Sequence, residues 1–243
     1  MISYVFDVDG VLCYPSQIAS VEFRNWFYHW AKGKNIYFVT GSDFDKTKMQ
    51  LGDIIAQLPI ISFNCQGNSH IVNGVEVYKK DFHLLEEEIV FLENELRTSK
   101  FPLRTGMHLD NRQGSVNFSV IGRNALYHQR EQYKRYDQDI QERLSIVKRI
   151  NEHFPRLTAF LGGDISIDIC LKGYDKGQVY DMIPKPIYFF ADKAYPHGID
   201  EPLAKRCVGE NDKVFQVHGP EQTKEILCVI SPIEDYFKDQ MLI

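Results

Sequence analysis

The amino-acid sequence predicts an α/β fold built around a parallel sheet, because short apolar runs alternate with helix-compatible stretches at both ends of the 243-residue chain and short links join them. Between Gly67 and about Gly173 the pattern changes to hairpin, strand and long-helix signals, so the middle reads as a different unit. Polar, chemistry-bearing residues gather where the strands of the end segments stop. That edge is where open α/β sheets bind ligands.

Taken in order, Ile2 to Phe6 is a buried strand that ends in Asp7-Val8-Asp9-Gly10. Side chains alternate along an extended backbone, so aspartates two positions apart leave the sheet in similar directions. Gly10 lets the chain turn sharply with its amides presented to an anion. Val21 to Trp30 has the spacing of a helix, closed by Lys32-Gly33-Lys34. Asn35 to Val39 is a second strand, leaving through Thr40-Gly41-Ser42-Asp43 into a helix that runs from Asp43 to about Gln57, and Ile60 to Phe63 is a third strand.

The middle opens with a hairpin pattern, Ile71-Val72-Asn73-Gly74-Val75-Glu76-Val77. Leu85, Ile89, Leu92 and Leu96 line one face of a helix, strands fall around Asn117 to Val120, and Tyr133, Ile140, Leu144, Val147 and Phe154 stripe a single long helix before Pro155. Both stripes belong to a core or a subunit interface. From Lys176 the α/β pattern returns, and Ile187-Tyr188-Phe189-Phe190 is a strand that leaves through Ala191-Asp192-Lys193.

Composition narrows the function classes. Twenty-eight basic residues against 33 acidic ones give a net charge of −5 with no long basic block, which argues against a general nucleic-acid or anionic-membrane binder. No stretch approaches the ~18 apolar residues of a membrane span, and no basic leader precedes an apolar run. Five scattered cysteines, without a Cys-x-x-Cys pair, argue against a disulfide framework or zinc ribbon and fit a reducing, cytoplasmic compartment.

Paired carboxylates at a strand exit divide labour: one attacks phosphorus while the other, if its surroundings raise its pKa, moves a proton. Such carboxylates repel each other, which makes a divalent cation their natural partner. A calcium loop of the EF-hand type is excluded because Leu12, Cys13 and Tyr14 supply none of its further ligands. Ser42, with Thr40 in reserve, and Lys176 are placed to hold nonbridging phosphate oxygens, and Asp192 and Asp200 to complete a magnesium shell. Each alone is commoner as a cap or a solvated surface group. Their order along the chain is what points to a phosphate site.

That ordered set resembles the haloacid dehalogenase superfamily of phosphotransferases, and specifically its eukaryotic-type phosphomannomutases. Phe6-Asp7-Val8-Asp9-Gly10, Gly41-Ser42-Asp43-Phe44-Asp45-Lys46, Tyr174-Asp175-Lys176-Gly177 and Tyr188-Phe189-Phe190-Ala191-Asp192-Lys193 are similar to the four motifs. The middle adds Asn111-Arg112-Gln113-Gly114, Asn117-Phe118-Ser119, Ile121-Gly122-Arg123, Arg130 and Leu161-Gly162-Gly163-Asp164-Ile165-Ser166-Ile167-Asp168, strings that generic superfamily members lack.

The resemblance implies a doubly wound, Rossmann-like parallel-sheet core (residues 1–75 and 174–243) with an inserted α/β cap (76–173). It implies Asp7 as nucleophile, Asp9 as general acid/base, and Ser42 and Lys176 beside them. Arg112, Arg123 and Arg130 would grip the substrate's nonreacting phosphate, and Ser166 and Asp168 its sugar. Mg2+ would be held by Asp7, the Asp9 carbonyl, Asp192 and, more weakly, Asp200. The implied reaction interconverts mannose 6-phosphate and mannose 1-phosphate with a hexose 1,6-bisphosphate as activator, supplying activated mannose for glycans, in a homodimer formed through the cap. The chain departs from the family pattern at Ser16, where an arginine is expected, at Asn64-Cys65-Gln66-Gly67, at Thr40, at Ala191 in place of glycine, which brings a methyl toward the metal loop, and at Ile199 in place of asparagine. Loss of the arginine leans toward a sugar-phosphate phosphatase on the same scaffold. A noncatalytic sugar-phosphate sensor is the third reading, and intact Asp7, Asp9, Lys176 and Asp192 argue against it.

Overall fold

The computed structural model describes residues 1–231, so the last twelve residues of the expected second core segment, 232–243, lie outside the described residues. The chain runs through β1 (Ser3–Phe6), α1 (Val21–Ala31), β2 (Asn35–Val39), α2 (Phe44–Leu51), α3 (Asp53–Ala56), β3 (Ile61–Asn64), β4 (Ser69–Val72) and β5 (Val75–Lys79). It continues with α4 (Glu86–Thr98), β6 (Leu109–Arg112), β7 (Ser115–Phe118), α5 (Tyr127–Ile140), α6 (Glu142–His153), β8 (Leu157–Leu161) and β9 (Ile167–Leu171). It closes with β10 (Ile187–Ala191), α7 (Glu201–Arg206), β11 (Lys213–Gln216) and α8 (Pro220–Ile230).

The first sheet has the order β11-β10-β1-β2-β3-β4-β5, drawing strands from both ends of the chain. Its first five members are parallel, and β4 and β5 add an antiparallel hairpin at one edge. β1 is buried along its whole length, as a central parallel strand covered on both faces must be. On one face Phe6 stacks on Phe190 and meets Phe27 and Trp30 of α1 edge-on. On the other, Val5, Val39, Phe189 and Leu203 form a second cluster, and the Ala191 methyl points into it rather than crowding the metal loop.

The second sheet, β6-β7-β9-β8, is wholly antiparallel and comes entirely from the middle of the chain. Helices α4, α5 and α6 pack against it through Leu92, Tyr133, Ile146, Val147 and Ile150. The two expected long helices are each broken. Gly52, at φ 81°, separates α2 from α3. Gln141 adopts φ 56° between α5 and α6, which rotates the apolar face, so that Ile140 is exposed and the single stripe from Tyr133 to Phe154 does not exist. The expected hairpin turns at Asn73 and Gly74, both at positive φ, and its second strand stays in the first sheet through Lys79.

The sheets meet through specific contacts. Asn68 donates to the Tyr174 carbonyl at 2.9 Å, and the Leu161 amide donates to the His197 carbonyl at 2.8 Å. Among the described residues no helix is long and apolar enough to cross a membrane.

Candidate active site

Asp7 and Asp192 each follow a strand directly, and those strands, β1 and β10, are parallel neighbours with Phe6 opposite Phe190. Both carboxylates therefore leave the sheet at one edge. Gly10 makes their approach possible: at φ 82° it holds a conformation that disfavours side chains, and a Cβ there would sit 2.4 Å from an Asp192 carboxylate oxygen. Asp200 precedes α7 and is fully buried. Oxygens of Asp7, Asp192 and Asp200 lie within 4.8 Å of one another.

Two ammonium groups sit among these three carboxylates. Lys176 Nζ is 2.9 Å from Asp7 and 2.6 Å from Asp200, and Lys193 Nζ is 2.6 Å from Asp192. Burial pulls Lys176 down, but Asp200 and Asp7 outweigh it and hold the ammonium charged. Burial pushes Asp7 up to about 7, helped by Asp200 and Asp192 and opposed by Lys176. Burial likewise raises Asp192. Three negative charges against two positive ones leave an excess that favours a further cation once a phosphate arrives. The donors fit a hard divalent ion: all are oxygens, and Asp192 Oδ1 is buried without a hydrogen-bond partner. Asp200 is less free to coordinate, since its oxygens accept from Lys176 Nζ and from the Lys193 amide at 3.0 Å.

Asp9 lies beside this cluster in a separate network. Its Oδ2 accepts from Lys46 Nζ at 2.8 Å and Ser42 Oγ at 3.1 Å, and its Oδ1 from the Ser16 amide and Gln50 Nε2, both at 2.8 Å. Burial would raise this carboxyl, but Lys46 and these hydrogen bonds pull it down to about 2. The sequence expectation of a raised pKa at the second aspartate is thereby corrected: Asp7 carries the upward shift, and Asp9 stays ionised. Ser42 is engaged with Asp9, while the Thr40 hydroxyl accepts from the Ser42 amide at 3.1 Å, so both line the site.

The second sheet supplies the opposite wall. Asn117 and Asp168 are register partners on β7 and β9, joined by a 2.6 Å hydrogen bond. Asn117 Oδ1 and Ser166 Oγ are buried there without partners, which is costly unless a ligand or water meets them. Arg112 reaches Asp110 at 3.0 Å and Asp168 at 3.6 Å, and Arg123 reaches Asp110 at 3.9 Å. Burial and the neighbouring Arg112 charge lower the Arg123 pKa, an imbalance that an anion would relieve. Arg130 does not line the cavity. Its guanidinium donates to the Ala125 and Arg123 carbonyls, each at 2.8 Å, so it braces the turn that presents Arg123.

One cavity of about 100 Å³ joins these walls, lined on the first-sheet side by Asp7, Asp9 and Lys176 and on the other by Arg112, Arg123 and Asp168. A family model described as eukaryotic phosphomannomutase matches residues 23–231. The chain belongs to the eukaryotic phosphomannomutase family. A phosphomannomutase from Saccharomyces cerevisiae is 34% identical, with 92% of this chain and 91% of that protein covered. Phosphomannomutase 1 of Dictyostelium discoideum is 30% identical over 92% of this chain and 94% of its own length. Among solved structures, an IMP-bound IMP-nucleotidase from Plasmodium falciparum superposes with a TM-score of 0.62 at 17% identity, covering 93% of this chain and 66% of that one. The C-terminal domain of a Candida albicans trehalose-6-phosphate phosphatase gives 0.58 at 13% identity, covering 95% and 91%. These last two likenesses show the fold alone, a parallel-rich central sheet with a second α/β unit beside it.

Several site residues escaped the sequence reading. Lys46 and Gln50 follow Ser42 at four-residue intervals, a helical-face signal that was available. Lys193 stood inside a motif without a role. Arg143 had no local signal. It donates to the carbonyls of Gly163 and Ser166 and to Asp137, and thereby holds the turn that carries Ser166 into the cavity.

Proposed function

We propose that this protein interconverts mannose 6-phosphate and mannose 1-phosphate by phosphoryl transfer through Asp7. The observation that carries this reading is the two-ended cavity, with a nucleophile and its lysine on one wall and two guanidiniums on the other. Guanidinium forks bind phosphate bidentately and keep their charge. A hexose carrying a phosphate at one end would be anchored by Arg112 and Arg123, with Arg130 bracing Arg123, while Ser166, Asn117 and Asp168 meet its hydroxyls. Its other end would face Asp7. At about 100 Å³ the space is well below the ~300 Å³ at which ordinary ligand pockets begin, so the sugar enters with the walls apart and is enclosed when they close.

Ionised Asp9 takes the proton of a sugar hydroxyl as that oxygen attacks phospho-Asp7 and the P–O bond to Asp7 breaks, which leaves Asp9 protonated. When the Asp7 carboxylate then attacks the other phosphorus of the bisphosphate, the departing sugar oxygen takes that proton and Asp9 returns to its ionised form. Lys176 bonds Asp7 and offsets charge on the transferring group, with Ser42 or Thr40 beside it. Asp7, the Asp9 carbonyl and Asp192 would hold Mg2+, with Asp200 orienting Lys176. When bound, the ion would neutralise charge on the phosphoryl oxygens. A hexose 1,6-bisphosphate would prime the nucleophile.

Incubation with mannose 1-phosphate, magnesium and a trace of hexose bisphosphate tests the proposal. Mannose 6-phosphate in excess of inorganic phosphate is expected, and the reverse identifies a phosphatase. That second reading is favoured by Ser16, which lines the cavity where an arginine would grip phosphate and gives its amide to Asp9 instead. The reading also includes a cap formed by residues 80–173, since β5 remains in the first sheet, a cytoplasmic location supported by five cysteines free of disulfides, and a homodimer through the cap expected from family membership.

A further inference from the structure

The aspartyl-phosphate of such an enzyme has two fates. Attack by a sugar hydroxyl forms a new P–O bond, breaks the P–O bond to Asp7 and passes the proton to Asp9. Attack by water breaks the same bond, gives its proton to the same base and releases inorganic phosphate. Only exclusion of water separates these outcomes. What holds the walls together therefore bears on the reaction itself.

Ile199 is placed to do this. It lies in the loop between Asp192 and Asp200, lines the cavity, and is buried in a cluster whose other members are Phe160 and Cys170. Those two belong to β8 and β9. Pairing of Phe160 with Asp168 and of Thr158 with Cys170 sets Phe160, Asp168 and Cys170 on the same face, the one that carries the sugar-facing carboxylate. On its other side Ile199 Cδ1 lies against Gly41, where an added Cβ would be 3.3 Å away. The same loop accepts the Leu161 amide on the His197 carbonyl at 2.8 Å. The loop folds closely on itself: a Cβ at Gly198 would sit 2.2 Å from the Lys193 carbonyl oxygen, and the Gly198 and Asp200 amides donate to the Tyr195 and Lys193 carbonyls at 2.9 and 3.2 Å.

We propose that Ile199 is a specificity-determining residue, an apolar pin between the catalytic loop and the cap sheet that keeps the cavity shut and so directs the phosphoryl group to sugar rather than water. The Leu161–His197 hydrogen bond alone exchanges for water when the walls part. The apolar contact makes parting unfavourable, because opening exposes Ile199 and Phe160 together.

The chemical readout rests on the proposed mutase reading, and the physical one does not. In Ile199→Ala, amide exchange at Leu161 in the sugar-free protein is expected to accelerate at least tenfold while exchange across residues 3–6 stays unchanged. The ratio of inorganic phosphate to mannose 6-phosphate is expected to rise at least fivefold. Ile199→Leu should leave both at their wild-type values. If the alanine variant does not fold, Ile199→Thr takes its place. Unchanged Leu161 exchange overturns the proposal, and so does faster exchange with an unchanged product ratio. If the wild-type protein makes no mannose 6-phosphate, the mutase reading fails by itself, and the pin is then judged by Leu161 exchange together with the rate of phosphate release.

Discussion

The two walls of the active site are built on opposite electrostatic plans. On the first-sheet wall every charge has a partner: Lys176 bridges Asp7 and Asp200, Lys193 holds Asp192, and Lys46 holds Asp9, all within 3 Å. On the second-sheet wall Arg112 and Arg123 share Asp110 at 3.0 and 3.9 Å, Arg112 reaching Asp168 only at 3.6 Å, and Asn117 and Ser166 each leave a buried oxygen unpaired, as Asp192 does on the first wall. Reacting groups must be preorganised before substrate arrives, whereas recognition groups gain most when the ligand supplies what they lack. On the proposed function, chemistry is thus stored in the first-sheet wall, and recognition waits in the second.

Breaking the chemical wall should have the largest effect. Asp7→Asn keeps the shape and removes the nucleophile, so turnover of any phosphoester should fall by at least about 1,000-fold, while calorimetric titration still detects sugar-phosphate binding. Comparable residual turnover would assign the nucleophile elsewhere. Breaking the recognition wall should be smaller and selective. Arg123→Ala should lower kcat/KM for a hexose phosphate by about 10- to 100-fold, the value of a charge-assisted hydrogen bond, and change hydrolysis of a small aryl phosphate only slightly. Arg130→Ala should cost less than Arg123→Ala, because Arg130 acts through the backbone of Arg123. Equal losses on both substrates would erase the distinction between the walls.

The smallest expected effect concerns pH. The Asp7 pKa is raised from 3.8 to about 7 in the folded protein, so between these values the folded state binds more protons than the unfolded one. Its contribution to stability is complete below 3.8 and is lost as pH rises through 7. Metal-free protein should therefore show a Tm that declines on this account between about pH 4 and 7 and levels off above, with Asp7→Asn flattening the decline and magnesium opposing it. A Tm that falls equally in the variant would place the linkage in other groups.

Legibility of the molecule followed the range of the interactions. The exits of β1, β2 and β10 were readable because alternation and strand ends are local patterns, and Asp7, Ser42, Lys176 and Asp192 do converge. Arg130 is expected at the phosphate from the sequence; the structure sets it beside Arg123, with Nε and one terminal nitrogen donating to the carbonyls of Ala125 and Arg123. The break at Gln141 had no signal, since glutamine carries no preference for positive φ. Arg143 was silent because the carbonyls it meets, those of Gly163 and Ser166, are brought near only by the fold, whereas Lys193 pairs with its own neighbour Asp192.

By itself, the order of residues determined the strands, the parallel sheet, the family and the chemical types at each strand exit, because these depend on periodicity and on which side chains are present. Only the tertiary structure decided that Asp7 rather than Asp9 carries the raised pKa, that Asp200 serves Lys176, and that Ile199 joins the two walls. Those outcomes depend on burial and on distances of a few ångströms between groups remote in the chain, and electrostatic and apolar energies change steeply over such distances.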